Sequence, residues 1–159
     1  RNVQRNSSGC GRSSPQARSL IAYLALGSNL GNREAYLDGA RRNLEKCGIK
    51  ILRDSENLDN PPLIVEDQPA FLNAILEVET SLEPLALLQN CKQVEEDTGR
   101  KQTYRYGPRE IDIDILAGTC GKFSSDRLTL PHPGLVDRPY LRTLLERLEL
   151  TPENLLKLQ

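Results

Sequence analysis

Residues 107–116, GPREIDIDIL, contain the feature that most constrains the fold, because isoleucines and aspartates alternate there one by one. Such alternation is typical of a β-strand, in which successive side chains point to opposite faces. The three isoleucines would lie on one face of the strand, and Asp112 and Asp114 on the other. A strand of this kind needs a hydrophobic core behind it and an open polar surface in front of it.

The rest of the chain predicts further strands and helices around this one. Apolar runs bounded by turn residues predict strands, and apolar residues at helical spacing predict helices. The predicted order is strand (20–29), helix (32–47), strand (49–58), strand (70–80), helix (84–99), strand (110–116) and helix (135–150). This order favours the α+β class: a ferredoxin-like βαββαβ sandwich with a mainly antiparallel sheet covered by helices.

The length of 159 residues favours a single domain, which we expect to occupy residues 21–150. Residues 1–20 contain four arginines, no acidic residue and many serines and glycines, a composition too polar to form a core. We expect a flexible basic tail or linker there. Residues added for expression, a remnant of an organelle-targeting sequence and, least favoured, an arm that binds nucleic acid remain alternatives. Residues 151–159 are expected to be a C-terminal extension.

The charge balance argues against a polyanionic or lipid partner. The chain has 21 basic and 22 acidic residues, and it contains no apolar run of the ~18 residues that a membrane-spanning helix needs. We therefore expect neither nucleic acid nor a membrane as partner. The four cysteines form no C-x-x-C pair, which favours free thiols in a reducing, cytoplasmic compartment, with Cys47 and Cys91 buried.

A basic segment precedes the two aspartates directly. The stretch RKQTYRYGPR (100–109) contains Arg100, Lys101, Arg105 and Arg109. Arginine and lysine bind phosphate, whereas two adjacent carboxylates repel each other unless a cation neutralises them. Mg²⁺ prefers one or two carboxylates completed by phosphate oxygens and water. A D-x-D pair alone is more often a solvated strand face, but together the two features predict a Mg²⁺ and polyphosphate site.

Two other motifs are less informative on their own. His132 is the only histidine and lies between two prolines in RLTLPHPG. A structural role and a role as hydrogen-bond donor to a phosphate both remain open. The stretch GSNLGN (27–32) is neither a P-loop nor a dinucleotide-binding motif, so it predicts a turn from strand to helix.

Taken together, four stretches resemble the 6-hydroxymethyl-7,8-dihydropterin pyrophosphokinase family of folate biosynthesis. They are ALGSNLGN (25–32), PPLIVEDQPAFLNA (61–74), GRKQTYRYGPREIDIDIL (99–116) and RLTLPHPGLVDRPYL (127–141), in family order. The resemblance implies Mg²⁺-dependent transfer of pyrophosphate from ATP to 6-hydroxymethyl-7,8-dihydropterin, which releases AMP. It implies ATP as co-substrate, two Mg²⁺ ions and fusion to, or action beside, other folate-pathway enzymes.

The resemblance also implies roles for individual residues. Asp112 and Asp114 match the metal-binding acids, and Arg100 and Arg109 match catalytic loop arginines. On the nucleotide side the matching residues are Glu95, Lys101, Tyr106, Arg127, His132 and Arg138. In the pterin pocket they are Pro61, Leu63, Phe71, Asn73 and Tyr140. Phe71 and Tyr140 would stack on the flat pterin, and the Asn73 amide would offer it a donor and an acceptor.

Some alternatives remain open at this point. Gln102 and Ile64 depart from the residues that are frequent in the family, which leaves a protein of the same fold without catalysis as one alternative. A ferredoxin-like RNA binder that uses the basic, tyrosine-containing loop is another. It leaves the two aspartates unexplained, since they would repel phosphate in the absence of a metal. No general base can be assigned.

Overall fold

A computed structural model describes residues 19–60, 69–101, 103–105 and 107–158. Several predictions lie outside the described residues: those for the tail up to residue 18 and for Pro61, Leu63, Ile64, Gln102 and Tyr106. The described elements are β1 (Leu20–Ser28), α1 (Arg33–Lys46), β2 (Lys50–Asp54), β3 (Leu58–Asn60), β4 (Phe71–Thr80), α2 (Pro84–Thr98), β5 (Asp112–Gly118), β6 (Phe123–Ser124), β7 (Thr129–Leu130), α3 (Pro139–Glu146) and α4 (Pro152–Leu156).

The main sheet has the strand order β2-β4-β1-β5, with β3 also paired to β4. Every pairing in it is antiparallel. The central pair is formed by β1 and β4, and the helices α1 and α2 each connect strands that are not neighbours. This topology confirms the predicted α+β, ferredoxin-like arrangement.

Local sequence signals explain where the two long helices begin and end. The Asn32 side chain caps α1 by accepting a hydrogen bond from the Ala35 N–H (3.1 Å). Pro84 begins α2, where the missing N–H has no helical partner. Gly99 ends α2 with φ of 121°, a backbone conformation that glycine adopts without a steric penalty. Among the described residues, no helix is both long and apolar enough to cross a membrane.

Both faces of the sheet are packed, but not to the same extent. One face buries the apolar stripes of α1 and α2, including Leu37, Leu44, Leu87 and Cys91. The opposite face is covered over part of its area by α3 and α4, with Leu141, Leu145 and Leu155 in a second cluster. The candidate site lies on this second face at the end where β1 finishes, beyond the β1 residues Tyr23 and Ala25 that pack with the second cluster.

A β-bulge changes the face on which the residues of β5 lie. Leu24 pairs with Ile115 whereas Tyr23 pairs with Ala117, so Leu116 is an extra residue. Before the bulge, Ile113 and Ile115 pack on the α1 and α2 side; after it, Leu116 and Ala117 pack on the α3 side. The predicted separation of isoleucines from aspartates is confirmed up to Ile115.

Other expectations needed correction. The strand predicted over 49–58 is divided, because Glu56 adopts φ of 65° between β2 and β3. The last predicted helix starts later and ends earlier than the 135–150 stretch, and the extension after residue 150 contains α4, which begins with a capping box at Thr151. Cys47 is exposed, since it follows the last residue of α1; Cys91 is buried as predicted.

Candidate active site

Three neighbouring strands contribute one row of residues to the open sheet face. Gly27 in β1 pairs with Asn73 in β4 on one side and with Asp112 in β5 on the other. Directly paired residues point to the same face, so Asn73 and Asp112 flank a residue that has no side chain. Their backbones are about 10 Å apart, two strand spacings. The next row along β1 is Ile75, Ala25 and Asp114.

Gly27 leaves the space that the Asn73 amide occupies. A Cβ atom there would lie 2.8 Å from Asn73 Nδ2 and 3.6 Å from Phe71 Cδ1. Any side chain at residue 27 would therefore displace the Asn73 amide. The glycine forms a flat floor between the amide of β4 and the acid of β5.

The Asn73 amide is buried and held from two sides. Its Nδ2 donates to the Leu26 carbonyl (3.2 Å), and its Oδ1 accepts from Asn60 Nδ2 (2.9 Å). An amide group has two donor hydrogens and two acceptor positions, so these bonds leave one of each for a ligand. The two bonds also fix which end of the amide is oxygen and which is nitrogen.

Asp112 and Asp114 form a carboxylate pair on this face, and both are about one-third exposed. Partial burial, and then the charge of Asp112, raise the pKa of Asp114 to about 7, although Arg138 acts in the opposite direction. Arg138 Nη1 lies 3.9 Å from Asp114 Oδ2. Burial and the Asp112 charge thus both disfavour the ionised form of Asp114.

Arg100 and Glu95 lie beside Asp112. Arg100 Nη1 lies 2.8 Å from Asp112 Oδ1 and 3.3 Å from Glu95 Oε1. Glu95 extends from α2, and its Oε2 accepts a hydrogen bond from the Ile113 N–H (2.7 Å). Burial raises the pKa of Glu95, whereas the Ile113 N–H lowers it. Glu95 thus satisfies a backbone donor of the edge strand β5 and adds a third acid next to the pair.

A cavity of about 310 Å³ lies between α2, β5 and the segment around β7. It brings together the predicted residues Glu95, Asp112, Asp114, Arg127 and His132. Of the residues predicted to bind the nucleotide, Glu95, Arg127 and His132 thus line one cavity together with both aspartates.

His132 has a defined hydrogen-bonding state in this cavity. Its Nδ1 accepts a hydrogen bond from the Gly134 N–H (2.9 Å), so the neutral ring carries its proton on Nε2. Burial lowers the pKa of His132, and the nearby Arg138 lowers it further. The ring is therefore a neutral donor at pH 7.

Arg109 and Phe71 meet at the other end of the face. The Arg109 guanidinium carbon lies 5.3 Å from the centre of the Phe71 ring, a cation–π contact. Arg109 Nε is buried and has no hydrogen-bond partner among the described residues. A buried donor without a partner is costly, so this atom is suited to a ligand acceptor.

Three other predicted residues differ in their relation to this group. Lys101 is exposed, and its backbone N–H donates a hydrogen bond to Glu110 Oε1 (3.1 Å). Arg127 reaches the cavity from its exposed rim. Tyr140 packs at the edge of the α3 cluster, where burial raises its pKa and the charges of Arg138 and both aspartates also act on its hydroxyl.

Sequence analysis missed three contributors. Gly27 was assigned only to a turn, Glu110 was treated as part of a strand, and Asn29 was given no role. Glu110 is buried and accepts from the Lys101 N–H, while Asn29 is bonded to Arg109. These contacts join distant segments, so the spacing of residues within one motif gives no signal for them.

The chemistry of the acid pair fits Mg²⁺. No group of three His, Cys, Asp or Glu side chains able to hold a metal occurs in the part of the chain that the structure describes. Two carboxylates alone suit a cation that completes its shell with phosphate oxygens and water. Burial and the charge of Asp112 raise the pKa of Asp114, and a divalent ion between the two carboxylates would offset both effects.

Fold and site together define a class: a ferredoxin-like α+β protein whose open sheet face combines a carboxylate pair, cationic side chains and an amide pocket. The family model for 7,8-dihydro-6-hydroxymethylpterin-pyrophosphokinase (HPPK) matches residues 23–150. The chain therefore belongs to this family, as the sequence motifs predicted.

Several curated relatives have a similar sequence. One from Methylorubrum extorquens is 40% identical over 133 residues, covering 83% of each chain, and one from Bacillus subtilis is 38% identical over 122 residues, covering 76% of this chain and 73% of that protein. Both are named 2-amino-4-hydroxy-6-hydroxymethyldihydropteridine pyrophosphokinase.

Other relatives are much longer. The "Folic acid synthesis protein fol1" of Schizosaccharomyces pombe is 39% identical over 130 residues, 80% of this chain and 18% of that protein. The "Folate synthesis bifunctional protein, mitochondrial" of Pisum sativum is 42% identical over 126 residues, 79% of this chain and 24% of that protein. The chain thus spans less than a quarter of the length of these two relatives.

Proposed function

We propose that this protein transfers the pyrophosphoryl group of ATP to 6-hydroxymethyl-7,8-dihydropterin in a Mg²⁺-dependent reaction. The observation that carries the proposal is the row of Asn73, Gly27 and Asp112. It combines an amide suited to a heteroaromatic ring edge with an acid suited to a phosphate-bound cation, about 10 Å apart on one open face.

The proposed pterin pocket uses Phe71 and Asn73. The Phe71 ring offers an apolar face for stacking, and the remaining donor and acceptor of Asn73 match the alternating groups of a pterin edge. Tyr140, together with Pro61 and Leu63, is proposed to complete the walls. A pocket of this kind rejects rings with a different hydrogen-bonding edge, because its buried polar groups would then lack partners.

The proposed nucleotide site extends from the acid pair into the 310 Å³ cavity. His132 offers a neutral Nε2–H donor, and Arg127, Arg138, Lys101 and Tyr106 are proposed to contact the nucleotide with Glu95 nearby. Arg109 offers to a phosphate oxygen its buried Nε, which has no hydrogen-bond partner in the described part of the chain. Arginine is well suited to this role because its planar group binds phosphate bidentately.

In the proposed reaction, the hydroxymethyl oxygen of the pterin attacks the β-phosphorus of ATP. A new oxygen–phosphorus bond forms, and the bond from the β-phosphorus to the α,β-bridging oxygen breaks. AMP leaves with that electron pair, and the hydroxyl proton is lost; we assign no residue as its acceptor. Most of the catalysis comes from alignment and from charge stabilisation by Arg100 and Arg109.

Asp112 and Asp114 are the residues that would hold the metal. When bound, Mg²⁺, for which two ions are expected, supplies charge neutralisation at the phosphate oxygens. The two aspartates lie on the same face of β5 as Asn73 does on β4. Phosphates bound through them would therefore lie on that face, beside the proposed pterin pocket.

An RNA-binding function has less support. RNA-binding sheets of this topology present stacked aromatic rings on the sheet face. Here the same face of β1 and β5 carries Ala25, Gly27, Asp112 and Asp114, of which two are small and two are anionic. Fusion to other folate-pathway enzymes is a further proposal, supported by the much longer relatives from fission yeast and pea.

The direct test measures AMP release from Mg-ATP with and without 6-hydroxymethyl-7,8-dihydropterin. We expect AMP and the pterin diphosphate in equal amounts only when both substrates and Mg²⁺ are present. Equal AMP formation without the pterin would contradict the proposal, since it would indicate simple nucleotide hydrolysis.

A further inference from the structure

Asn29 is a buried residue that links two separate segments of the candidate site. It follows β1 directly in the GSNLGN turn and is 1% exposed. Its backbone N–H donates to the Arg109 carbonyl (3.1 Å), and its side-chain Oδ1 accepts from the Arg109 N–H (2.9 Å). Its Nδ2 donates to the Pro69 carbonyl (3.3 Å). One side chain is therefore bonded to the backbone of two segments 40 residues apart in sequence.

These two segments carry the side chains that meet over the pterin pocket. Arg109 is three residues before Asp112, and Pro69 is two residues before Phe71. The Arg109 guanidinium lies over the Phe71 ring at 5.3 Å. Because the backbones of both segments are bonded to the same amide, the distance between the guanidinium and the ring depends on Asn29.

We propose that Asn29 is a positioning residue for the transfer reaction, holding Arg109 and Phe71 in register by its hydrogen bonds to the Arg109 and Pro69 backbones. The inference rests on the proposed function, in which Arg109 contacts the phosphates and Phe71 stacks on the pterin. Asn29 acts through these residues and touches neither substrate. Alignment of this kind is sensitive, since a shift of about 1 Å can lower a rate by about 100-fold.

A merely structural asparagine would behave differently. Loss of the buried side-chain hydrogen bonds to Arg109 and Pro69 lowers stability, and any destabilised protein loses some activity. If Asn29 positions Arg109, the loss in turnover caused by Asn29→Ala should also depend on whether the Arg109 side chain is present. A double-mutant cycle separates the two cases, because independent effects multiply in rate and coupled effects do not.

Two substitutions at Asn29 and one nearby control make the test specific. Asn29→Ala removes the side-chain hydrogen bonds to the Arg109 N–H and the Pro69 carbonyl. Asn29→Asp keeps an acceptor for the Arg109 N–H. It replaces the Nδ2 group that donates to the Pro69 carbonyl with an oxygen that can only accept. Asn32→Ala removes the α1 cap from the same turn and touches neither segment; it lowers stability by about 1 kcal/mol.

Hydrogen exchange at the Arg109 amide tests the geometry without any substrate. We expect faster exchange in Asn29→Ala, exchange near the wild-type rate in Asn29→Asp, and no change in Asn32→Ala. An unchanged rate in Asn29→Ala overturns the proposal, whatever the activity of the protein.

The kinetic cycle then tests the consequence. Asn29→Ala is expected to lower kcat at least tenfold in the wild-type background but less than about threefold when Arg109 is already alanine. Asn29→Asp should recover part of the loss. An equal fold-loss in both backgrounds overturns the positioning role and leaves the proposed function intact. A wild-type protein that forms no AMP with both substrates contradicts the proposed function instead.

Discussion

Arg100 Nη1 lies 2.8 Å from Asp112 Oδ1, so a cationic side chain of the loop after α2 contacts one of the two paired acids directly. The same nitrogen lies 3.3 Å from Glu95 Oε1. Under the proposed function, Asp112 binds a metal and Arg100 binds phosphate. The two residues therefore neutralise each other in the protein alone, and each would exchange this partner for a ligand of opposite charge in the active complex.

Arg100→Ala separates these two roles. Removal of the guanidinium takes a positive charge away from Asp112, so we expect Mn²⁺ alone to bind about two- to tenfold more tightly by calorimetry. AMP formation should fall at least 100-fold, because an arginine that stabilises phosphoryl-transfer charge is lost. Arg42→Ala, which removes an exposed cation of α1, serves as the control for net charge. Weaker Mn²⁺ binding in Arg100→Ala would contradict the exchange of partners.

Asp114→Asn tests the acid pair. The variant keeps the shape of the side chain and removes the repulsion with Asp112, so the free energy of unfolding without metal should stay equal or rise. AMP production should drop at least 100-fold, since one of the two carboxylates for Mg²⁺ is lost. The control is Asp137→Asn, an exposed acid in the turn before α3. Wild-type turnover in Asp114→Asn would rule out the metal assignment.

Local patterns predicted the parts of the fold that local chemistry determines. The alternation in β5, the start of α1 near Asn32 and Pro84 at the start of α2 each follow from the preference of a few adjacent residues. The four motifs, in order, also identified the family and the acid pair. None of these features depends on how distant segments pack.

The features that were missed depend on tertiary contacts. The extra residue at Leu116 and the break at Glu56 follow from how β5 and β2 pair with their neighbours. The hairpin of β6 and β7 has two residues in each strand, too few for a periodic signal. Asn29 joins segments that are 40 and 80 residues away, so only the folded structure brings its partners together.

Asn73→Ala is expected to affect the pterin and spare the nucleotide. Loss of the amide removes the donor and acceptor left for a ring edge, so the KM for the pterin should rise about 10- to 100-fold while the KM for ATP changes less than about twofold. Stability should also fall, because the Leu26 carbonyl and Asn60 lose a partner.

The control for this variant is Asn90→Ala. Asn90 is an α2 asparagine whose amide bonds to Ala86 on the helix surface. It should leave both KM values at the wild-type level. A raised KM for ATP with an unchanged KM for the pterin in Asn73→Ala would contradict the assignment of Asn73 to the pterin pocket.

A row of three side chains outside the site makes stability depend on pH. Tyr23 in β1 donates its hydroxyl to Glu77 Oε2 (2.5 Å), and Arg53 in β2 donates to both Glu77 oxygens (2.9 and 3.1 Å). Arg53 also donates to the Leu148 carbonyl (2.7 Å), which ties the sheet to the turn that follows α3. Burial, and then the Glu77 hydrogen bond, raise the pKa of Tyr23 to about 12, so its hydroxyl stays protonated at pH 7.

The Arg53 hydrogen bonds lower the pKa of Glu77 below its ordinary value of 4.5. A carboxyl whose pKa is lower in the folded state stabilises the fold above the unfolded pKa, and it loses this contribution as the pH falls through the folded pKa. Glu77→Gln should therefore lower the free energy of unfolding by about 1.5–3 kcal/mol at pH 7, the range for hydrogen bonds to charged groups. The difference from wild type should shrink as the pH falls below 4.5.

Urea unfolding across this pH range measures the difference directly. Glu79→Gln, two residues further along β4 and outside the row, should cost much less at pH 7. A Glu77→Gln penalty that stays constant into the acid range would mean that packing of the side chain, and not its charge, stabilises the three strands.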